Sequence, residues 1–250
     1  MTIVGHTDFI FCICELSNHL LVSGSRDHSI KIWSLNKTNY KCEKTIIDAH
    51  TSTIYNIIEI SNHRMTSCAY DKSIKIWKAI SPFELITSLQ GHNSSVVAIL
   101  YLHKREELIS ISRDSVLRVW SMVTYQAVSI MNGISVCFSH SLCILDNKTI
   151  SIGYNNIIEI IDINGLKVNK VFEIQNNEIT NIYSLIAVNH NTIICGCNDG
   201  ILYEYDFANN NVKKTKSIHT ENIYDIIKIN EKEYVSCGLD KTVCIWKKND

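Results

Sequence analysis

Serine, histidine and aspartate recur together along this chain, and in hydrolases these residue types form a nucleophilic triad. The first set is His6, Ser23 and Asp27, followed by Trp33. Three more sets repeat it with matching spacing: His50/Ser67/Asp71/Trp77, His92/Ser110/Asp114/Trp120 and His219/Ser236/Asp240/Trp246. A catalytic triad occurs once, at the mouth of a pocket, whereas four identical sets indicate a repeated structural network. We therefore expect no catalytic residues and no enzymatic activity.

The ten cysteines could ligate a metal or form disulfides. The pairs Cys12/Cys14 and Cys195/Cys197 have one residue between them, which would place both thiols on one side of a strand. Zinc needs about four converging ligands, and no C-x-x-C motif pairs with a second one here. Most cysteines lie in apolar runs, where a thiol serves as a small hydrophobic group. We expect reduced thiols, no metal and a cytoplasmic or nuclear location.

Composition and charge argue against several further classes of protein. The 250 residues carry 24 Lys and Arg against 25 Asp and Glu, a formal net charge of −1, so no basic field favours direct nucleic-acid or membrane binding. No apolar run approaches the roughly 20 residues of a membrane span, and the N-terminus lacks signal-peptide features. Glycine-rich phosphate-binding motifs are absent, which predicts no cofactor. A soluble, non-secreted protein is expected.

Repeats organise these residues. The turn positions Asp27, Asp71, Asp114, Asn155, Asp199 and Asp240 follow one another at intervals of 41 to 44 residues. Within the first repeat, short apolar or alternating runs at 9–16, 20–25, 29–33 and 40–47 are separated by turn residues. This pattern predicts four strands per repeat and few helices.

The landmarks resemble the WD40-repeat family, whose repeats begin with Gly-His and end with Trp-Asp or Trp. Here the starts read Gly5-His6, Ala49-His50, Gly91-His92 and Ile218-His219, and the resemblance covers essentially the whole chain. It implies an all-β, six-bladed WD40 β-propeller with four antiparallel strands per blade. The expected domain is a single one at 1–250, with repeats at 5–47, 48–89, 90–132, 133–175, 176–217, and 218–250 plus 1–4.

The resemblance also implies how the last blade is completed. Only four residues follow Trp246, so the N-terminal segment Thr2–Val4 is expected to supply the outer strand that closes this blade.

In this family each His, Ser, Asp and Trp set forms a hydrogen-bonded tetrad that is buried in the blade. The resemblance therefore assigns the four sets above to structural tetrads. The fourth and fifth repeats have lost this pattern and read Ile134/Ser151/Asn155/Ile161 and Glu178/Cys195/Asp199/Tyr205.

WD40 propellers bind partners with residues at fixed repeat positions on their top face. Those positions carry aromatic and arginine side chains here, the types that dominate binding hot spots: Phe9, Phe11, Arg26, Tyr55, Tyr70, Arg113, Tyr154, Tyr183 and Tyr224. The two arginines suit an acidic or phosphorylated motif. The alternative is that some of these aromatic rings only pack against neighbouring loops.

The expected function is a non-catalytic interaction scaffold or recognition module for a partner protein or peptide. A permanent structural subunit of a large multiprotein or ribonucleoprotein assembly is the main alternative, and the substrate-receptor part of a ubiquitin ligase is a weaker one. A propeller enzyme would need converging, non-repeating ionisable side chains. The chain is expected to be a monomer on its own and a subunit of a larger complex in the cell.

Overall fold

The computed structural model describes residues 4–36, 39–135, 141–173, 181–214, 218–230 and 232–247, without the side chains of residues 35, 36, 39 and 40. By its internal contacts the chain divides into two compact units, Met1–Val136 and Cys137–Asp250. Every regular element among the described residues is a β-strand. The described residues include no helix that is long and apolar enough to cross a membrane.

The first unit contains three antiparallel sheets of four strands, which we call blades 1 to 3. Strands follow chain order within each blade, so neighbouring strands are joined by short turns. The strands are β1 (Ile10–Glu15), β2 (Leu20–Ser25), β3 (Ile30–Asn36), β4 (Asn39–Ile46), β5 (Ile54–Ile60), β6 (Arg64–Ala69), β7 (Ile74–Lys78), β8 (Leu85–Leu89), β9 (Val96–Leu102), β10 (Glu107–Ser112), β11 (Val116–Ser121) and β12 (Ala127–Asn132).

The second unit contains blades 4 to 6, built in the same order. Blades 4 and 5 have four strands each, and blade 6 has three among the described residues. The strands are β13 (Leu142–Ile144), β14 (Thr149–Tyr154), β15 (Ile157–Asp162), β16 (Lys167–Glu173), β17 (Ile182–Asn189), β18 (Thr192–Cys197), β19 (Leu202–Asp206), β20 (Asn211–Lys214), β21 (Ile223–Lys228), β22 (Glu233–Gly238) and β23 (Val243–Lys247).

Within each unit, the inner strand of one blade packs on the preceding blade through two aliphatic residues three positions apart. Ile54 and Ile57 of β5 join the core of blade 1 beside Ile30 and Ile32. Corresponding pairs in the other described junctions are Val96 and Ile99 on blade 2, Ile182 and Leu185 on blade 4, and Ile223 and Ile226 on blade 5. Burial of these side chains from water holds neighbouring blades together.

A β-bulge explains the spacing of three. In β5, Ile54 pairs with Ala69 and Asn56 with Cys68, so Tyr55 is an extra residue without a partner in the ladder. The extra residue shifts the alternation, and Ile54 and Ile57 therefore face the same blade. Inner strands β1, β9, β17 and β21 contain the same irregularity.

The predicted strands of the first repeat agree with β1 to β4 within a few residues. Thr2 and Ile3 of the predicted closing strand lie outside the described residues, and Val4 is exposed and belongs to no strand. The single domain at 1–250 and its repeat boundaries stay predictions.

Candidate functional site

Blade 2 shows how a turn aspartate organises the polar network. Asp71 accepts a hydrogen bond from the backbone N–H of Ser73 at 3.1 Å, and Nδ1 of His50 lies 3.0 Å from its Oδ2. On the other side of the ring, Nε2 of His50 lies 2.7 Å from Oγ of Ser67. The indole N–H of Trp77 donates to the same Oγ at 2.9 Å. The chain of contacts thus runs from carboxylate to imidazole to hydroxyl to indole.

This arrangement requires a neutral imidazole. The Nδ1–H of His50 donates to Asp71, which leaves Nε2 to accept the hydroxyl proton of Ser67. Burial lowers the pKa of His50 and of His92 below the ordinary value, against the opposing effect of their aspartates. Burial alone would raise the pKa of Asp71, but hydrogen bonds from His50, Ser73 and Thr51 outweigh it and lower that pKa well below its usual range.

Blades 1 and 3 contain the same four-membered network. In blade 1, His6 lies 2.8 Å from Asp27 and 2.7 Å from Ser23, to which Trp33 donates at 2.8 Å. In blade 3 the distances are His92–Asp114 3.1 Å, His92–Ser110 2.8 Å and Trp120–Ser110 2.8 Å. The structure therefore brings together three of the four predicted tetrads in full.

The tetrad predicted for blade 6 is incomplete. His219 contacts Asp240 at 2.9 Å and Ser236 at 2.9 Å, but the buried indole nitrogen of Trp246 has no partner among the described residues. Its ring stacks on Tyr234 instead, with centroids 4.7 Å apart and planes 15° apart. Tyr234 pairs with Trp246 across β22 and β23, where the other three tetrad blades have an aliphatic or methionine side chain. Stacking on Tyr234 therefore explains why the Trp246 indole does not donate to Ser236 as the tryptophans of the other three blades do to their serines.

A second hydroxyl, which the sequence analysis missed, supports the turn in three of these blades. The residue two positions after the aspartate is Ser29, Ser73 or Thr242. Each donates from its Oγ to the carboxylate at 2.7 to 2.8 Å and lies 3.0 to 3.2 Å from the histidine Nδ1. Its sequence signal is the repeated Asp-x-Ser/Thr. Blade 3 has Val116 at this position and donates only its backbone N–H to Asp114.

Blade 4 has lost this network and keeps one of its members as an orphan. Ile134 and Ile161 are buried at the histidine and tryptophan positions. Ser151 remains, and its buried Oγ has no hydrogen-bond partner among the described residues. An unpaired buried hydroxyl is costly, so this position lacks the stabilisation that Ser67 provides in blade 2.

Blade 5 replaces the network with two tyrosines. Tyr203 donates to Asp199 at 2.7 Å, and Tyr205 donates to Asn210 at 2.8 Å. Cys195 is buried at the serine position, and Glu178 lies outside the described residues. The turn carboxylate therefore keeps a partner although the histidine is lost.

We call the predicted partner-binding residues of the first unit, Phe9, Phe11, Arg26, Tyr55, Tyr70 and Arg113, the top surface, and three of them are in contact. The rings of Phe11 and Tyr55 meet edge to face, with centroids 5.7 Å apart. The exposed guanidinium of Arg113 lies 5.9 Å from the centroid of Tyr55. These contacts link blades 1, 2 and 3. The aromatic rings thus pack against each other and still hold an arginine at the surface.

A second arginine lies on blade 1. The Arg26 guanidinium lies 6.0 Å from the centroid of Phe9, which is 66% exposed. Its Nε also lies 3.6 Å from a carboxylate oxygen of Asp8, a residue that the sequence analysis did not single out. Tyr70 is 53% exposed on blade 2. The Asp8 carboxylate lies on one side of the Arg26 guanidinium. An acidic ligand would have to displace this carboxylate or bind the guanidinium together with it.

The second unit has its own aromatic pair at the equivalent positions. Tyr183 and Tyr224 meet edge to face at 5.4 Å. Burial and the neighbouring Tyr224 phenol raise the pKa of Tyr183. Tyr154 donates its hydroxyl proton to Glu159 at 2.8 Å. No arginine accompanies these rings among the described residues, because the matching turn positions are Tyr154, Asn198 and Leu239.

Four of these aromatic residues are the extra residues of the β-bulges. Phe11, Tyr55, Tyr183 and Tyr224 each stand between two residues that pair with consecutive positions of the neighbouring strand. A bulge bends the strand and re-aims the side chain of its extra residue. The bulge that brings the two interblade residues to one face of the sheet therefore also places these aromatic residues outside the regular alternation of side chains along the strand.

Five buried thiols are poorly suited to nucleophilic chemistry. Burial raises the pKa of Cys12 and Cys143 to about 12 and raises that of Cys68, Cys195 and Cys197 as well. Such thiols stay protonated at neutral pH, and the thiolate is the reactive form. Cys237 is exposed, although the apolar runs of the sequence predict burial for most of the cysteines. No group of three or more potential metal ligands occurs among the described residues.

Comparison with known families agrees with this architecture. Residues 3–222 match the model of the DDB1- and CUL4-associated factor 12 beta propeller, and residues 211–247 match the WD domain, G-beta repeat. This chain belongs to the DDB1- and CUL4-associated factor 12 beta-propeller family. The WD40-repeat membership predicted from the sequence is thereby confirmed.

Similarity to individual proteins is narrower. A ribosome biogenesis protein WDR12 homolog from Drosophila mojavensis is 40% identical over 53 residues, which is 20% of this chain and 13% of that protein. The WD40 beta propeller domain of Doa1 superposes with a TM-score of 0.80 at 20% identity, covering 96% of this chain and 79% of that one. The latter match shows the fold alone and confirms the six-bladed WD40 β-propeller class.

The networks generate a matched pair of stability predictions. Ser67→Ala should lower the free energy of unfolding by about 2–4 kcal/mol, because His50 and Trp77 both lose a buried partner. Ser151→Ala removes a hydroxyl without a described partner and should be neutral or slightly stabilising. Urea unfolding followed by tryptophan fluorescence measures both. Equal losses in the two variants would show that the network contributes no specific stability.

Acidification should destabilise the protein between about pH 7 and 5. The folded-state pKa of His50 and His92 lies below the ordinary 6.5, so in this range the unfolded chain binds protons that the folded chain does not. This stability is fully present above about pH 7 and is lost as the pH falls toward the folded-state values. Protonation of the aspartates lowers the stability further only below about pH 4.

The thermal unfolding midpoint measured from pH 7.5 to 5 tests this dependence. A His50→Gln/His92→Gln variant serves as the control and should show a lower midpoint but a flatter slope. A wild-type midpoint that stays constant over this range would contradict the assignment of neutral imidazoles.

Proposed function

We propose that this protein is a non-catalytic recognition module whose top surface binds an acidic or phosphorylated segment of a partner protein. WD40 propellers generally act as platforms for protein partners, and the family match supports this role for the chain. The observation that carries the proposal is the pair of exposed arginines, Arg26 and Arg113, each held beside an aromatic ring. The location is proposed to be cytoplasmic or nuclear.

Each arginine is restrained but not neutralised by its ring. A guanidinium beside an aromatic face gains cation–π attraction and loses side-chain freedom before a ligand arrives. Its fork of N–H donors can still bind a carboxylate or phosphate in a bidentate manner. Arg113 has no carboxylate partner among the described ion pairs, whereas Arg26 has only the 3.6 Å contact to Asp8. Both cations therefore suit an oxyanion ligand.

The remaining top-surface residues suit a peptide more than a small anion. Phe9 and Tyr70 are more than half exposed, and Phe11 is 40% exposed. Aromatic side chains with this exposure bury large area at low entropic cost when a peptide covers them. An extended peptide segment lying across blades 1 to 3 would contact these aromatic rings as well as the two arginines.

The Ser, His and Asp sets support the non-catalytic part of the proposal. The hydroxyl of Ser67 is fully buried and already engaged by His50 and Trp77. A serine nucleophile must reach its substrate, and the fully buried Ser67 cannot.

Reversal of the two arginine charges tests the recognition site. The probe is an array of acidic, phosphoserine and phosphothreonine peptides, with affinities of the best ligands measured by fluorescence anisotropy. Arg26→Glu/Arg113→Glu should weaken binding at least tenfold, because two charge-assisted contacts become repulsive. Asp8→Asn should strengthen binding severalfold, because it removes the carboxylate that competes for Arg26.

The matched control reverses two exposed lysines on the outer strand of blade 4, Lys167→Glu/Lys170→Glu. This variant changes the net charge by the same amount and should bind as the wild type does. Circular dichroism and thermal unfolding establish that all variants are folded. Peptide binding that survives the arginine reversal would refute the proposed site.

The family match favours a second candidate function. The matched family is named for association with DDB1 and CUL4. We propose as the alternative that this chain is the substrate-receptor part of a ubiquitin ligase and associates with DDB1. The match to a ribosome biogenesis protein covers too little of that protein to favour the structural-subunit alternative equally.

Surface plasmon resonance with immobilised DDB1 tests the alternative. A receptor should form a saturable complex at micromolar concentration or below. Arg26→Glu/Arg113→Glu should leave this complex intact if the top surface is reserved for the substrate. Absence of a complex would eliminate the ligase alternative and leave the recognition proposal standing.

A further inference from the structure

A cavity of about 490 Å³ opens in the first unit, where the turns after the inner strands β1, β5 and β9 come together. We call it the turn pocket. It lies at the end of β5 opposite to Tyr55, and therefore at the other end of the blade from the top surface. Its polar lining residues all belong to the first unit: Ser17, Glu59, Ser61, Asn62, His63 and His103. A concave site with a few convergent polar groups is typical of ligand binding.

Part of the wall comes from a tripeptide that the sequence repeats. Ser17-Asn18-His19 follows β1, and Ser61-Asn62-His63 follows β5. In the first copy, Nδ2 of Asn18 donates to the carbonyl of Ala79 at 3.2 Å, and Nδ1 of His19 lies 3.4 Å from Glu15. In the second copy, the exposed amide and imidazole have no hydrogen-bond partner among the described residues. The second copy thus presents two polar groups to the cavity that the fold does not use.

Glu59 gives the turn pocket a negative charge in a fixed orientation. Its Oε2 accepts a hydrogen bond from the backbone N–H of Ser17 at 2.7 Å, and its Oε1 accepts one from the Ser17 hydroxyl at 2.8 Å. Both donors are neutral, and no lysine or arginine pairs with this carboxylate among the described residues. Burial raises the pKa of the nearby Cys14 thiol, and the negative charge of Glu59 adds to that rise. The carboxylate therefore lacks a counter-ion.

Blade 3 holds the other side of the turn pocket in place. The hydroxyl oxygens of Ser61 and Tyr101 lie 2.6 Å apart. Nε of Arg64 donates to the Ser61 carbonyl at 3.0 Å, and its Nη1 donates to the hydroxyl of Tyr125 at 2.8 Å. Arg64 thus directs its donors toward blade 3 and does not neutralise Glu59. Groups that are held in this way lose little entropy when a ligand enters.

The available groups suit an organic cation. A neutral imidazole offers one acceptor nitrogen, and an amide offers an acceptor oxygen. A carboxylate forms its strongest hydrogen bonds with charged donors such as ammonium and guanidinium groups. Binding of a metal ion requires several converging ligands, and no group of three or more potential metal ligands occurs in the part of the chain that the structure describes. The turn pocket therefore fits an ammonium or guanidinium group better than a metal ion.

We infer that the turn pocket binds a lysine or arginine side chain of a partner protein, with Glu59 as its counter-ion and Asn62 and His63 as further acceptors. WD40 propellers generally bind protein partners, which favours a protein side chain over a free amine as the source of the cation. The top surface is proposed to bind an acidic segment, so the two sites differ in charge preference and can fail independently. Binding in the turn pocket should weaken as the salt concentration rises.

A nuclear magnetic resonance titration of the ¹⁵N-labelled 250-residue chain tests the charge preference. The probes are pools of acetylated and amidated pentapeptides with Lys, Arg, Gln or Glu at the centre and random neutral residues around it. The Lys or Arg pool should shift the amide signals of residues 59–63 in a saturable manner, whereas the Gln and Glu pools should not. Absence of a response, or an equal response to the Gln pool, overturns the inference.

Removal of one charge tests the role of Glu59. Glu59→Gln keeps the shape of the side chain and should weaken binding of the Lys pool at least about tenfold, because a charge-assisted contact is lost. The matched control Glu15→Gln removes the same charge from the equivalent position of β1, two residues before Ser17, and should bind as the wild type does. Binding that survives Glu59→Gln in a folded protein overturns the inference.

A second variant keeps the test decisive if Glu59→Gln fails to fold. Asn62 and His63 have φ values of 62° and 51°, so Asn62→Gly/His63→Gly removes both acceptors without backbone strain. This variant should weaken binding at least about threefold, since two hydrogen-bond acceptors are lost. Unchanged binding would contradict the inferred contacts.

Two further measurements separate this site from the other possibilities. Arg26→Glu/Arg113→Glu should leave the amide shifts of residues 59–63 unchanged, so that failure of the top-surface proposal does not affect this result. Butylammonium chloride is the probe for a free amine. If it binds as tightly as the Lys pool does, the ligand is a free amine, which overturns the assignment to a partner protein.

Discussion

The hydrogen bonds of the turn carboxylate are the interaction on which the local structure of blades 1 to 3 depends. Asp71 holds the backbone of its own turn through Ser73 and the start of the repeat through the N–H of Thr51. It also fixes His50 in the neutral tautomer, which in turn orients Ser67 and Trp77. One charged group thereby ties together the turn, the entry segment and two strands. A buried network of this kind is stable because every member is satisfied.

The completeness of this network differs along the chain. Blades 1 to 3 of the first unit have all four members, whereas blades 4 to 6 have an orphaned Ser151, a tyrosine substitute or an unpaired Trp246. The arginines of the top surface belong to the first unit. Recognition benefits from side chains that are held in place before binding, because less entropy is lost when the ligand arrives. The unit with complete networks is thus the one that carries the two arginines proposed for recognition.

The strands and turns could be predicted because they depend on residues at fixed spacing within one repeat, and the resemblance to WD40 repeats implied four tetrads, of which three are complete. The departures arise from contacts between residues that the repeat pattern does not relate. Tyr234 diverts Trp246 from Ser236 by stacking, and Asp8 approaches Arg26 from a different turn. The bulges at Phe11 and Tyr55 were also missed, since alternation along a strand does not reveal an extra residue. Contacts within one repeat could be predicted from the sequence, whereas contacts between side chains on neighbouring strands and turns could be found only in the structure.

The bulge connects packing with recognition. If the inner strand were regular, Ile54 and Ile57 would face opposite sides of the sheet, and only one could pack on blade 1. The extra residue Tyr55 brings both to one side and is itself left outside the ladder. Its ring is then available to contact Phe11 and Arg113. A change at position 55 that preserves the bulge should therefore alter the top surface without loosening the blade junction, whereas deletion of the residue would disturb both.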